Sequence, residues 1–376
     1  GGRANTWVHD RSGRLIGLVD AEGRRQSMFW DRWGNQVLVR ERDGSETVSA
    51  YDRRGRLAPR RLPSGARVDQ EWDELDRLVE SRVSVADGSG TVAVTRYEYE
   101  GVGRRPVRVV DPGGGATAMT WRDGLLTRIT DPTGVRVRFD HDEHGDLVAV
   151  TDAAGNTARL VRDRVGRVVA AVTPLGNRTE FSYDAGGRLV CRTDPTGART
   201  RFEYSAAGRT CAIIDPEGGR TSMSHGAHGA RERTSDPLGR VVGESYDDLG
   251  NLAAVELPDG STWEFGYDGL SRLTGMKDAG GGVWAMGYGP DGMLAATVDP
   301  TGVGRDVRRG WFGAPVSVRD GGDDWSAVWD RLGRLVSQTG PDGGTSLNRY
   351  DLCGRLVETV DATGAVTRYE RDAAGR

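Results

Sequence analysis

Apolar and polar residues alternate along most of the chain in short runs, and each run stops at a glycine-bearing turn signal. In Gly197–Tyr204, the residues Thr200, Phe202 and Tyr204 fall on one side of an extended strand, with Arg199, Arg201 and Glu203 on the other. The returning segment Gly187–Asp194 alternates less cleanly. Neither side is wholly apolar, as expected for a single sheet wetted on both faces. The pattern predicts short antiparallel strands and no helix.

The runs are copies of one another. The glycine of an aromatic-Asp-x-x-Gly-Arg-Leu motif recurs from Gly13 to Gly375 in eighteen copies, and fifteen of the seventeen gaps are 21 residues. Gly55, Gly187, Gly208, Gly250 and Gly354 are such anchors, while Asp76 and Ser271 stand where two glycines would be. Tyr or Trp lies four residues earlier in eleven copies, among them Trp30, Tyr51, Tyr183, Tyr204, Tyr246, Tyr267 and Tyr350. A second turn follows ten residues after most anchors, as in Asp131-Pro132-Thr133-Gly134, Asp194-Pro195-Thr196-Gly197 and Asp299-Pro300-Thr301-Gly302. Asp at the first position accepts a hydrogen bond from the turn backbone. Pro at the second presets φ, and Gly at the fourth tolerates a positive φ. Both turns are four-residue hairpin connections built around a type I turn.

One repeat is therefore one β-hairpin, with strands of about six and seven residues. The array fills residues 1–376 as a single repeat domain. A longer, protruding hairpin is expected at 79–99, with its turn at Asp87–Gly90, because the gap from Asp76 to Gly103 grows by six residues and so keeps the two faces in step. The gap from Gly313 to Gly333 shrinks to 20, which places a shortened repeat at 314–333 with a bulge or tightened turn near Asp320–Asp323. Some 36 strands at the usual spacing make a strip about 170 Å long, which must twist and coil; closed into one turn it spans roughly 55 Å. The expected fold is all-β: a long antiparallel sheet that spirals into a hollow shell. A β-propeller, which needs odd and even repeats to differ, fits poorly because they look alike.

Composition agrees with many strands and turns: 56 Gly, 10 Trp and 10 Tyr in 376 residues, with 36% hydrophobic and 28% charged. The net charge of −4 leaves no footprint for nucleic acid or an anionic membrane. Arginines are interleaved with Asp and Glu and read as a solvated surface. Three cysteines are too few for a disulfide framework. Cys191 and Cys211 sit on strands separated by a third, about 9.6 Å apart, too far for a disulfide. No leader or membrane segment is visible, and the first residue falls inside a repeat, so the chain reads as a piece of something longer.

The Tyr-Asp-x-x-Gly-Arg-Leu and Asp-Pro-x-Gly pattern resembles the YD or RHS repeats of bacterial RHS polymorphic toxins. Similar repeats occur in the C components of insecticidal toxin complexes, in wall-associated proteins and in teneurins. The resemblance covers the chain from about Trp7 to Arg376. It implies a β-cage segment that encloses a toxic C-terminal effector domain of the same polypeptide, secreted or cell-surface, with a secretion apparatus as a further partner.

Sites for chemistry are few. His9, His141 and His225 occupy the aromatic position of the repeat, and His144 and His228 follow three residues later. The run Asp140-His141-Asp142-Glu143-His144 has ligand types suited to zinc, but its spacing is set by the repeat. Turn formation accounts equally for the aspartates that suggest calcium. No nucleophile elbow and no phosphate loop appear. No catalytic, cofactor-binding or metal residue is expected, and the chain reads as a structural shell rather than an enzyme. The alternative is a surface adhesin or carbohydrate-binding module, with glycans as partners and the off-register Trp33, Trp284 and Trp325 as its candidates. Unpaired edges on both terminal hairpins are expected to make the piece associate when alone.

Overall fold

The computed structural model describes residues 5–85, 92–310 and 313–376. Among them run 35 strands and no α-helix. Strands pair antiparallel with their sequence neighbours, as in Arg199–Tyr204 with Thr210–Ile214. Two compact units are distinguished: Gly1–Thr117 with Gly266–Met276 and Gly282–Arg376, and Ala118–Phe265 with Lys277–Gly281.

The second unit shows the regular repeat. On Arg199–Tyr204, burial alternates along the strand, with Thr200, Phe202 and Tyr204 half-buried and Arg199, Arg201 and Glu203 exposed. Typical strands are five and six residues long, as in Leu189–Thr193 and Arg178–Tyr183. They are shorter than the spacing suggests because the motif residues flanking each turn close the loop instead. Asp184 N–H donates to the Arg188 carbonyl at 2.9 Å, and Gly187 N–H to the Asp184 carbonyl at 3.0 Å.

A second difference is a bulge beside these turns. Tyr183 faces Leu189 and Ser182 faces Cys191, leaving Val190 without an opposite residue. The same slip recurs at His141 and Leu147, at Tyr246 and Leu252, and at Tyr350 and Leu356. This is why Gly187–Asp194 alternates poorly: the bulge shifts the period by one, so Leu189 and Val190 are both half-buried.

In the first unit, Leu78–Ser84 pairs with Val92–Tyr99 to form the longer hairpin; the turn expected at Asp87–Gly90 lies outside the described residues. The shortened repeat closes on a two-residue turn, Gly321-Gly322, with φ of 59° and 109° between Asp320 and its partner Asp323. A turn with positive φ at both central residues matches the strand twist and removes the missing residue.

The core is thin. Met28, Ala66, Ala170 and Ala212 are the buried apolar residues among those described, and no large side chain is fully buried. Cohesion comes from cross-strand neighbours, about 0.2–1 kcal/mol per pair. Ala212 shows how the small ones are covered. Glu203 and Arg220, on the strands either side of it, join through two hydrogen bonds of 2.9 and 2.7 Å across the strand that carries Ala212.

The non-glycine anchors carry strain. Asp76 and Ser271 both sit at φ 59°, where an L-residue loses roughly 1–2 kcal/mol relative to its preferred regions. Ser271→Gly is therefore expected to stabilise the chain by about 0.5–1 kcal/mol, read as a rise in Tm, whereas Ser271→Val lowers it. An unchanged Tm for Ser271→Gly contradicts the strain.

Candidate functional site

Each residue of the Tyr-Asp-x-x-Gly-Arg-Leu motif has a definite partner. The tyrosine ends a strand and its hydroxyl reaches back to the preceding hairpin. Tyr183 donates to the Val168 carbonyl and Tyr204 to the Leu189 carbonyl, each at 2.7 Å. Tyr51, Tyr246 and Tyr350 reach Gln36, Arg231 and Leu335 at 3.0, 2.9 and 2.8 Å. Trp30 makes the same bond with its indole N–H, to the Leu15 carbonyl at 2.7 Å. Where arginine replaces the aromatic residue, it finds the equivalent carbonyl: Arg162 reaches Leu147 at 3.2 Å and Arg371 reaches Leu356 at 2.9 Å. The position is a latch between successive hairpins, and any side chain long enough to carry a donor there can serve. Tyr267 closes the strand Thr262–Tyr267 at the matching place.

The aspartate organises the turn. Asp184 accepts from Arg188 N–H at 2.9 Å and from Arg188 Nε at 2.7 Å. The second turns use a hydroxyl as well. Asp194 takes the Thr196 N–H and hydroxyl at 2.8 and 2.7 Å, and the Ala198 N–H at 3.0 Å. Asp131 and Asp299 hold Thr133 and Thr301 in the same way. Pro132, Pro195 and Pro300 fall at the turn position that donates no bond. Gly134, Gly197 and Gly302 have φ of 89°, 91° and 85°. The anchors Gly55, Gly187, Gly208, Gly250 and Gly354 lie between 77° and 83°.

The arginine after the anchor has a role that the charge pattern does not state. Arg188 is 41% exposed, yet it binds Asp184 through Nε and stacks on the following Tyr204 ring at 4.9 Å. Arg167 over Tyr183, Arg334 over Tyr350 and Arg77 over Tyr99 repeat the contact at 4.9, 5.1 and 4.6 Å. Arg56 and Arg334 also donate to the backbone carbonyl of the next repeat's Asp, Asp73 at 2.8 Å and Asp351 at 3.2 Å. One side chain thus ties its own turn to the next aromatic residue and the next turn. The signal was present: an arginine fixed at one position of a repeat is not placed by surface solvation.

These contacts shift the carboxyls. Hydrogen bonding from the Arg188 backbone, then its guanidinium, holds Asp184 below the ordinary value. The Thr196 hydroxyl leads the same lowering at Asp194, and the Thr301 hydroxyl at Asp299. Because the folded carboxyls are the more acidic, the unfolded chain binds more protons between the folded values and the unfolded value of about 3.9. The stabilisation is complete above about pH 4 and is lost as pH falls through the folded values. Tm is therefore expected to hold between pH 7 and 5 and to drop steeply below about 4. A Tm flat to pH 2 contradicts this.

The histidines stay within the repeat. His141 ends the strand Arg136–His141, and His144 lies in the next turn, its N–H donating to Asp142 at 3.0 Å. Among the described residues no group of three or more His, Cys, Asp or Glu is placed to hold a metal ion. Cys191, Cys211 and Cys353 are free and half-buried. Among the described residues no helix is long and apolar enough to cross a membrane.

Within the first unit, turns far apart in sequence meet edge to edge. Arg24 donates to the Gly289 and Pro290 carbonyls at 3.3 Å. Arg272 pairs with Glu22 at 2.8 Å, and Gly113 N–H donates to Cys353 Sγ at 3.1 Å. In each case a second-turn edge from Gly1–Thr117 receives an anchor-turn edge from the later segments. The separations are 240 to 266 residues, close to twelve repeats.

The RHS Repeat family model matches residues 121–157, 162–198, 246–283, 329–366 and 350–376. The chain is similar to the toxin protein Tse5 of Pseudomonas aeruginosa, 32% identical over 139 residues, covering 32% of this chain and 11% of that protein. It is also similar to the double-stranded DNA deaminase toxin A of Burkholderia cenocepacia, 30% identical over 129 residues, covering 34% of this chain and 8% of that protein. Among solved structures, TcdB2-TccC3-TEV aligns with 99% of this chain and 22% of its own at a TM-score of 0.69 and 16% identity. TcdB2-TccC3 without its hypervariable C-terminal region aligns with 98% and 26% at 0.61 and 14%. At those identities the solved structures speak for the fold alone. The chain spans about a tenth of the length of the curated relatives it matches.

Proposed function

We propose that the chain is a YD/RHS repeat protein whose work is structural: it is a wall segment of a secreted RHS-type toxin that encloses a C-terminal effector domain and helps deliver it. The observation that carries this reading is the edge-to-edge meeting of turns within the first unit. A strip whose turn edges dock onto each other about twelve repeats later builds a wall with few open edges, and such a wall excludes solvent and proteases from what it surrounds. The toxin relatives and the RHS family matches support it.

On this reading residues 1–376 are one array within a larger polypeptide. The main partners are the other repeats and the effector of the same chain, followed by a secretion apparatus. The repeat residues hold the wall and perform no catalysis. Solution scattering of the full-length protein tests the shape: a hollow, compact particle is expected, and an extended flexible ribbon sinks the proposal.

Sugar binding remains the second reading, favoured by the exposure of two off-register tryptophans. Trp33 is 72% exposed at a turn tip, stacked by Arg32 at 4.1 Å, and Trp325 is 40% exposed. A glycan array without hits removes it.

A further inference from the structure

We propose that the strand face of the second unit opposite its phenylalanines binds an acidic polypeptide segment. In the first unit, several exposed strand arginines have an acidic partner. Arg67 pairs with Asp69 at 2.7 Å, Arg82 and Arg96 share Glu80 at 2.6 and 3.0 Å, and Arg349 and Arg368 share Glu358 at 3.3 and 2.8 Å.

Arg25, Arg61 and Arg308 of the first unit lack an acidic partner among the described residues, and the second unit gathers more such arginines on one face. Arg128, Arg136, Arg159, Arg199 and Arg201 are exposed, and none of them has a side-chain partner among the described residues. Their opposite residues are neutral: Thr130 faces Arg136, Ala149 and Val172 face Arg159, Thr193 faces Arg199, and Cys191 and Ile214 face Arg201. Arg128 faces another arginine, Arg138, directly. Like charges opposite one another on a sheet are destabilising; Arg138 is offset by Asp140, and Arg128 is the member of the pair left for an acidic partner. Asp140, Glu180 and Glu203 on the same face are already engaged, by Arg138, Arg178 and Arg220.

The register puts these arginines on one side of the sheet, on four of the eight strands from Leu125–Thr130 to Arg199–Tyr204, with Arg159 and Arg199 four strands, about 19 Å, apart. Guanidinium groups take carboxylates in paired hydrogen bonds. Nucleic acid is the poorer fit, since single strands bind by stacking on aromatic rings. Phe139, Phe181 and Phe202 lie at the alternate strand positions and so belong to the other face. A lipid surface would call for a cluster of apolar side chains to insert, and this face offers threonine and alanine beside its charges, with Val161 and Val241 exposed singly. The chain as a whole is at −4, so general attraction works against an acidic peptide and binding must be local. The inference stands on the second unit alone and does not depend on the shell reading.

The test measures fluorescence anisotropy of a labelled oligoglutamate against the chain at low ionic strength, and again at about 1 M salt, where the screening length falls to about 3 Å. The variant R136T/R159T/R199T removes three unpartnered arginines and keeps a strand-favouring residue. R67T/R82T/R349T removes three from the first unit as the charge-matched control. Wild type is expected to bind at low salt and release at high salt. The first variant weakens binding by about tenfold and the control by less than about threefold. R128T is expected to raise Tm, which checks the like-charge cost without any ligand. The proposal is overturned by absence of binding at low salt, by equal loss in both variants, or by tighter binding of an oligothymidylate of equal charge.

Discussion

Asp20→Ala is expected to cost about 3 kcal/mol, the largest single effect among the turn aspartates, because it leaves a buried charge network without its centre. The Asp20 side chain is 3% exposed. Its carboxylate accepts the Glu22 N–H at 3.0 Å, the Arg24 N–H at 2.9 Å and Arg24 Nε at 2.9 Å, with Arg42 Nε at 3.4 Å. Burial pushes its pKa up, but the Arg24 backbone, the Arg24 guanidinium and the Glu22 N–H outweigh burial, and the net shift is downward. Asp20 also aims Arg24 at the Gly289 and Pro290 carbonyls, so the substitution loosens a local turn and the edge contact together. Amide exchange at Gly23 and Arg24 should quicken on the order of 100-fold, with little change in the second unit. Asp20→Asn keeps an acceptor and should lose less. Equal effects of the two substitutions would contradict the charge pairing.

The latch position gives the second large effect. Tyr204→Ala removes the bond to the Leu189 carbonyl, the half-buried ring and the stacking of Arg188, and should cost about 2–3 kcal/mol. Tyr204→Phe removes only the bond and should cost about 1 kcal/mol. Tyr204→Arg should be milder than alanine, because Arg162 and Arg371 already make this bond from equivalent positions. Denaturant midpoints for the three variants test the order. A Phe variant as damaged as Ala would mean the carbonyl bond dominates, and an Arg variant worse than Ala would mean the ring does.

Much of the fold could be read from the spacing because each turn is a local event. Asp194-Pro195-Thr196-Gly197 states its turn within four residues, and the structure closes it with bonds inside those residues and their neighbours. The shortened repeat near Asp320–Asp323 was legible in the same way, as a tightened turn. The bulge at Val190 was not, because an unpaired residue exists only relative to the opposite strand. The linking role of Arg188 was missed for a related reason: its second contact, Tyr204, lies one hairpin on. Edge contacts such as Arg24 with Gly289 leave no local pattern at all, since they join turns 265 residues apart. The unpartnered arginines of the second unit likewise emerge only once register decides which residue each one faces.

The most direct test of the enclosure account is limited proteolysis of the full-length polypeptide with its effector domain, compared with the isolated effector. The account predicts that the effector within the intact protein resists a protease that readily digests it alone, and that Asp20→Ala shortens this protection. Equal digestion of the enclosed and isolated effector would contradict it.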